Sequence, residues 1–177
     1  MKVIITDCDH DSIDIEKKVF QEAGIEVELK QAVTEDEVIR QCQRAEVFIV
    51  QYAKITEKVM ENCPQLKYVV RYGVGVDTID LEAATRHGIQ VGNVPDYGMN
   101  EVADHAIALA LALVRKVEMM NAYTKTQCWD YVKAIPIHRF SEMTVGVIGL
   151  GRIGRNFAKK MHALGFQVIG TDPYFQE

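Results

Sequence analysis

Three glycines and one aspartate near the end of this sequence have the types and spacing to hold a dinucleotide. In "TVGVIGLGRIGRNFAKKMHALGFQVIGTDPY", Gly149, Gly151 and Gly154 follow a short apolar run and open an amphipathic segment whose inner positions include Ile153, Phe157 and Met161. The first glycine permits a tight turn, the second lets a pyrophosphate approach the backbone, and the third allows close helix–strand packing. The helix N-terminus then turns N–H groups and the positive end of its dipole toward phosphates. "FQVIGTD" reads as a further strand ending in Asp172. It lies about 20 residues beyond the glycines, where a carboxylate accepts both adenine-ribose hydroxyls. That carboxylate repels a 2′-phosphate, and no arginine follows in "DPYFQE" to accept one. NAD is therefore the expected cofactor.

A second group of candidates stands earlier. Gln51 and Tyr52 end the third apolar run, "EVFIV", on the carboxyl edge where open α/β sheets bind ligands. Asp7, Asp9 and Asp11 in "TDCDHD" resemble the magnesium-binding acids of a receiver-type signalling domain. A receiver also needs a phosphoacceptor aspartate after the third strand, and "FIVQYA" has none. That excludes the receiver reading, and the acids are expected to form a cluster at a helix N-terminus, favoured by its dipole.

The elements that must position these residues follow a regular beat. "KVIIT", "IEVEL", "EVFIV", "KYVVRYG" and "IQVGN" read as short strands of a buried parallel sheet, with helical segments between them. In the first helical segment, Ile13, Ile15, Val19 and Phe20 carry the apolar spacing. Thr34 and Glu37 stand at capping-box spacing at the start of the second. Strand and helix taking turns predicts a flavodoxin-like α/β domain over residues 1–98. An Ala- and Leu-rich helix from about Asn100 to Tyr123 follows, and a looser segment containing Trp129 leads to the glycine turn.

Composition limits the rest. The 177 residues are 48% hydrophobic and 25% charged, with a formal net charge of −5. This is a globular balance without the basic face that nucleic acid requires. Cys8, Cys42, Cys63 and Cys128 lack zinc-ligand spacing, so buried free thiols and no metal site are expected. "VADHAIALALALV" is too short to span a membrane and carries Asp104 and His105. "MKVIITDCD" enters a strand directly with no signal-peptide pattern, which makes a cytoplasmic location the expectation.

"RYGVGVDTIDLEAATRHGIQVGNVP", "VADHAIALALALVRK" and "GVIGLGRIGRNFAKKMHALGFQVIGTDPY" together closely resemble the D-isomer-specific 2-hydroxyacid dehydrogenases. The wording "NVPDYGMNEVADHA" is most similar to the branch holding phosphoglycerate dehydrogenase and the C-terminal-binding-protein corepressors. The resemblance implies a substrate domain in residues 1–98 and an interdomain helix with a dimerisation segment in 99–142. Residues 143–177 would then be the first β-α-β of a Rossmann NAD-binding domain. It implies hydride transfer between a D-2-hydroxy acid, or its 2-oxo acid, and nicotinamide in a homodimer.

By the same resemblance Arg152 and Ile153 cradle the pyrophosphate. Backbone N–H groups near Val74 and Gly75 meet the substrate carboxylate, with Val74 also next to the cofactor. The family's catalytic His, its Glu partner and its substrate-holding Arg fall beyond Glu177. None of His10, His87, His105, His138 and His162 takes that role, so the chain is expected to be an inactive piece of an enzyme. The alternative is a regulatory protein of the corepressor kind, which binds dinucleotide without catalysis.

Overall fold

The alternation of apolar residues in "VII" and "VFIV" places neighbouring side chains on opposite faces of one sheet, and each face is covered by its own layer. A computed structural model describes residues 1–174 and divides into two compact units, Met1–Asp96 and Tyr97–Glu177. Residues 175–177, the end of the segment expected to open the cofactor domain, lie outside the described residues. The segment 99–142 groups with the glycine turn in the second unit.

In the first unit β1 (Val3–Ile5), β2 (Val27–Leu29), β3 (Val47–Val50), β4 (Tyr68–Arg71) and β5 (Gln90–Gly92) pair in parallel. Their order, β2-β1-β3-β4-β5, is that of the flavodoxin-like fold. Ile4, Phe48, Val50 and Val69 pack against residues of α2 (Glu35–Cys42), α3 (Glu57–Asn62) and α4 (Leu81–Arg86). Val3, Ile5, Val47 and Ile49 face the other way, toward Ile13 and Phe20 at α1 (Asp14–Glu22). Ile15 and Val19, expected on the inner face of α1, are instead exposed, Ile15 by 79%. A period of 3.6 residues brings positions 13 and 20 under one stripe and turns 15 and 19 aside. At α2 the Thr34 hydroxyl accepts the Glu37 N–H at 3.4 Å, and the Glu37 carboxylate accepts the Thr34 N–H at 3.1 Å.

In the second unit β6 (Thr144–Ile148) and β7 (Gln167–Thr171) run parallel, joined by α7 (Arg152–Ala163). The helix expected from about Asn100 to Tyr123 is two helices, α5 (Met99–Val114) and α6 (Val117–Lys125). Lys116 breaks it in a left-handed conformation, φ 55°. The Arg115 and Lys116 N–H groups close the turn on the Leu111 and Leu113 carbonyls, each at 3.0 Å. The Arg115 guanidinium lies 5.9 Å over the Phe140 ring, which stacks on Phe166 at 4.4 Å. A cation over an aromatic face adds about 0.5–1 kcal/mol at an exposed site, which offsets part of the cost of left-handed backbone at lysine. Among the described residues no helix is long and apolar enough to cross a membrane.

Candidate functional site

The glycine turn joins β6 to α7. The Gly149 N–H donates to the Thr171 carbonyl at 2.8 Å, extending the β6–β7 ladder by one bond before the chain turns away. Gly149 has φ +93°, a region that side chains oppose. A Cβ on Gly154 would fall inside the carbonyl oxygen of Gly149, so strand end and helix touch backbone to backbone. Gly151 differs from both. It caps α7 with φ −66°, and a Cβ built on it meets nothing within 4 Å. The fold therefore requires glycine at 149 and 154 and leaves open space at 151.

Asp172 follows β7 and returns to this turn. Its carboxylate accepts the Leu150 N–H at 2.6 Å and the Tyr174 N–H at 2.8 Å. A loop amide thus fixes the acid beside the N-terminal turn of α7, whose first N–H groups have no partner inside the helix. Arg152 and Ile153 stand exposed in that turn. Arg155 and Lys159, which the sequence did not single out, line a shallow pocket of about 370 Å³ with Met99, Arg152 and Asn156. These three cations, spread over the first two turns of α7, give this face of the helix a positive rim.

In the first unit the loops after β1 and β3 diverge at the topological switch point of the sheet, the crevice where such folds bind ligands. Of the acids of "TDCDHD", Asp7 and Asp9 meet the loop after β3 there, and they do not cluster at a helix N-terminus, since α1 begins only at Asp14. Asp7 is 2% exposed. Its carboxylate accepts the N–H groups of Gln51, Tyr52 and Ala53 at 3.2, 2.6 and 3.2 Å, and the Thr6 hydroxyl at 2.8 Å. These bonds hold the loop after β3 against the end of β1. Partners in a neighbouring strand outcompete the weaker attraction of a distant helix dipole.

The structure brings Gln51 and Tyr52 together around Asp9. The Gln51 amide, 8% exposed, donates to one Asp9 oxygen at 2.5 Å and accepts the Asp9 N–H at 2.8 Å. The Tyr52 hydroxyl donates to the other oxygen at 2.9 Å. These bonds, Gln51 first and Tyr52 second, hold the Asp9 carboxyl below its ordinary range. The same contact raises the Tyr52 phenol. Val74 and Gly75 are exposed on the loop after β4. The Asn93 amide donates to the Val74 carbonyl at 2.7 Å and the Val94 N–H to the Gly73 carbonyl at 3.0 Å. The Arg71 guanidinium occupies the space that a Cβ on Gly73 would need.

Sequence reading missed Asp9 as a partner of Gln51 and Tyr52, and Arg71 beside the loop. Asp9 and Gln51 are 42 residues apart and have no local pattern in common. Arg71 could have been found, as a cation ending a strand directly before a glycine loop.

Fold and turn define a two-unit α/β protein: a flavodoxin-like parallel sheet, then the opening β-α-β of a Rossmann fold. The chain belongs to the D-isomer specific 2-hydroxyacid dehydrogenase family, whose catalytic domain residues 3–163 match. D-3-phosphoglycerate dehydrogenase of Methanocaldococcus jannaschii is 39% identical over 175 residues, 98% of this chain and 32% of its own length. The enzyme of that name from Archaeoglobus fulgidus is 38% identical over 176 residues, with 98% and 32% covered. The chain thus spans about a third of the length of these curated relatives, 32% in each case. The structure of D-lactate dehydrogenase from Aquifex aeolicus, complexed with NAD and lactic acid, superposes with TM-score 0.86 at 27% identity, covering 99% of this chain and 52% of that one. The TT0316 protein of Thermus thermophilus gives TM-score 0.81 at 30% identity, covering 98% and 58%.

Proposed function

We propose that this chain supplies the substrate edge and the adenine-side half of the cofactor site of an NAD-dependent oxidoreductase that interconverts a D-2-hydroxy acid and its 2-oxo acid. The observation that carries the reading is Gly151. Its backbone angles suit any residue and its surroundings would admit a side chain. As an N-cap, glycine is better for the turn than alanine by only a few tenths of a kcal/mol or more, and its bare backbone also lets a group outside the fold approach, as a pyrophosphate at the N-terminus of α7 must. When bound, the nicotinamide cofactor supplies the hydride acceptor and donor. The chain's own residues bind and orient. The first turn of α7 holds the pyrophosphate, with Arg152 and Ile153 beside it. Asp172, fixed by the Leu150 N–H, accepts the adenine-ribose hydroxyls. The backbone at Val74 and Gly75 takes the substrate carboxylate, and Gln51 and Tyr52 border the same edge.

The acid/base is not among these groups. Among the described residues, the one histidine within 4.0 Å of a carboxylate is His87, beside Glu57. It stands at the C-terminal end of α4, across the sheet from the substrate loops. A positioned proton donor is worth about 10²–10⁴-fold in rate, so the 177-residue polypeptide is expected to bind both partners without measurable turnover. Leu109, Leu113, Val117 and Trp129 are exposed in the second unit, which favours a homodimer through α5, α6 and the segment after them. Three of the four free thiols are buried, in keeping with a reducing compartment such as the cytoplasm.

Titration of the polypeptide with NADH and NADPH, followed by nicotinamide fluorescence, tests the cofactor assignment. NADH should bind at least about tenfold more tightly, since a 2′-phosphate would meet the Asp172 carboxylate. Asp172→Ser should narrow the gap. Tighter binding of NADPH by the unaltered chain would overturn the role given to Asp172.

A further inference from the structure

We infer that Asp9, held by Gln51 and Tyr52, sets the charge preference of the substrate edge: it disfavours a 2-hydroxy acid with a second anionic group and favours one whose tail is uncharged and can donate a hydrogen bond. The inference rests on the 2-hydroxy-acid reading above and narrows it to a substrate class.

The two carboxylates at the switch point are used differently. Asp7 is buried and bonded to four donors within the fold. Asp9 is exposed, and among the described residues no cation lies within 4.0 Å of it. Its two oxygens each take one neutral donor, Gln51 Nε2 and Tyr52 Oη. Neutral donors fix the geometry of a carboxylate and leave its charge in place. They also lower its proton affinity, so it remains an anion at neutral pH.

The neighbouring charges do not reverse this sign. Arg71, with its guanidinium over Gly73, stands beside the loop proposed to take the substrate's own carboxylate and offsets that one charge. His10 presents its ring to Tyr72, 5.5 Å away. Beside Tyr52, a groove of about 490 Å³ carries Glu35, Asp36 and Lys54, and Lys58 bridges the two acids at 4.0 and 2.7 Å, so its charges balance. A second anionic group on the substrate would therefore meet the Asp9 carboxylate, which no cation offsets within 4.0 Å among the described residues. A hydroxyl would find acceptors.

The test is ligand-observed NMR titration of the 177-residue chain, with NAD present, using D-glycerate and D-3-phosphoglycerate as probes. These acids share the 2-hydroxy carboxylate and differ in the charge of the tail. The unaltered chain should bind D-glycerate about tenfold more tightly, the scale of one unit charge about 4 Å away at the nearly aqueous dielectric of an exposed group. Asp9→Asn should bring the two affinities within about threefold of each other, mainly by tightening D-3-phosphoglycerate. Tyr52→Phe, which frees one Asp9 oxygen and keeps the charge, should leave D-glycerate preferred. Asp9 is exposed, and its N–H bond to Gln51 survives in the asparagine variant, so an unchanged urea midpoint confirms the fold. If D-glycerate binds but the ratio is near one, or does not move in Asp9→Asn, the subsite is refuted and the 2-hydroxy-acid reading stands. Binding of neither acid overturns both.

Discussion

Replacing Gly151 and Gly154 by alanine, one at a time, separates what the fold needs from what a ligand needs. At Gly154 the new methyl would overlap the Gly149 carbonyl oxygen and come within 3.6 Å of Val147 Cγ1. That oxygen belongs to a backbone held by the Gly149 N–H bond to Thr171 and by φ +93°, so it cannot move aside without opening the turn. Overpacking of this kind costs about 1–3 kcal/mol, occasionally more. At Gly151 the methyl enters open space at φ −66°. Alanine is a poorer N-cap than glycine by a few tenths of a kcal/mol or more, but it restricts the unfolded chain by about 0.4–1 kcal/mol. The two nearly cancel, so stability should change by less than about 0.5 kcal/mol. NAD affinity should nevertheless fall by at least about tenfold, because the methyl stands where the pyrophosphate must come. Urea denaturation followed by far-ultraviolet circular dichroism gives the first quantity, and calorimetric titration with NAD gives the second. A Gly151→Ala variant that binds NAD as tightly as the unaltered chain would refute the argument from open space. So would a Gly154→Ala variant of undiminished stability.

Three further outcomes are expected. Asp7→Ala strands three backbone N–H groups at the end of β3, and at about 1 kcal/mol or more for each it should cost the first unit about 3 kcal/mol in urea denaturation; a loss below about 0.5 kcal/mol would mean water replaces the carboxylate without penalty. Burial, with the neighbouring Cys63 second, pushes the Cys42 thiol up to about 12, and burial pushes Cys63 up to about 11, both from 9.0. The unfolded chain thus releases these protons first, so this contribution is complete below about pH 9 and is lost as pH rises toward about 11–12; the urea midpoint should fall more steeply above about pH 9 in the unaltered chain than in a Cys42→Ala/Cys63→Ala variant, and equal slopes would count against it. Sedimentation at micromolar concentration should find a dimer that Leu113→Glu and Trp129→Glu weaken, and a monomer throughout would exclude the proposed interface.

Much of the fold was legible because its signals are local. Runs such as "VFIV", bounded by turn residues, mark strands that β-α alternation then orders, and the Thr34–Glu37 pair marks a helix start by its own hydrogen bonds. The glycine spacing is legible for the same reason, since Gly149, Gly151 and Gly154 act within one turn. What escaped depends on distance along the chain. Asp7 reads as one of three acids before a helix, and only the return of β3 beside β1 presents it with the N–H groups of residues 51–53. Gln51 and Tyr52 were legible as residues of the carboxyl edge, but not as holders of Asp9. The break at Lys116 was hidden because no glycine or proline marks it. It is held from outside by Phe140, 25 positions beyond Arg115 in the sequence.

The central claim is that "GLGRIG" and Asp172 form one dinucleotide site. Backbone amide NMR of the 177-residue chain, titrated with NAD, tests it most directly. The account predicts that the largest shift changes fall on Gly149, Leu150, Gly151 and the first turn of α7, together with Asp172. It predicts that they vanish in Gly151→Ala, while the spectrum of the free variant stays folded. Saturating NAD that leaves the amides of Gly149–Gly154 and Asp172 unmoved would contradict it.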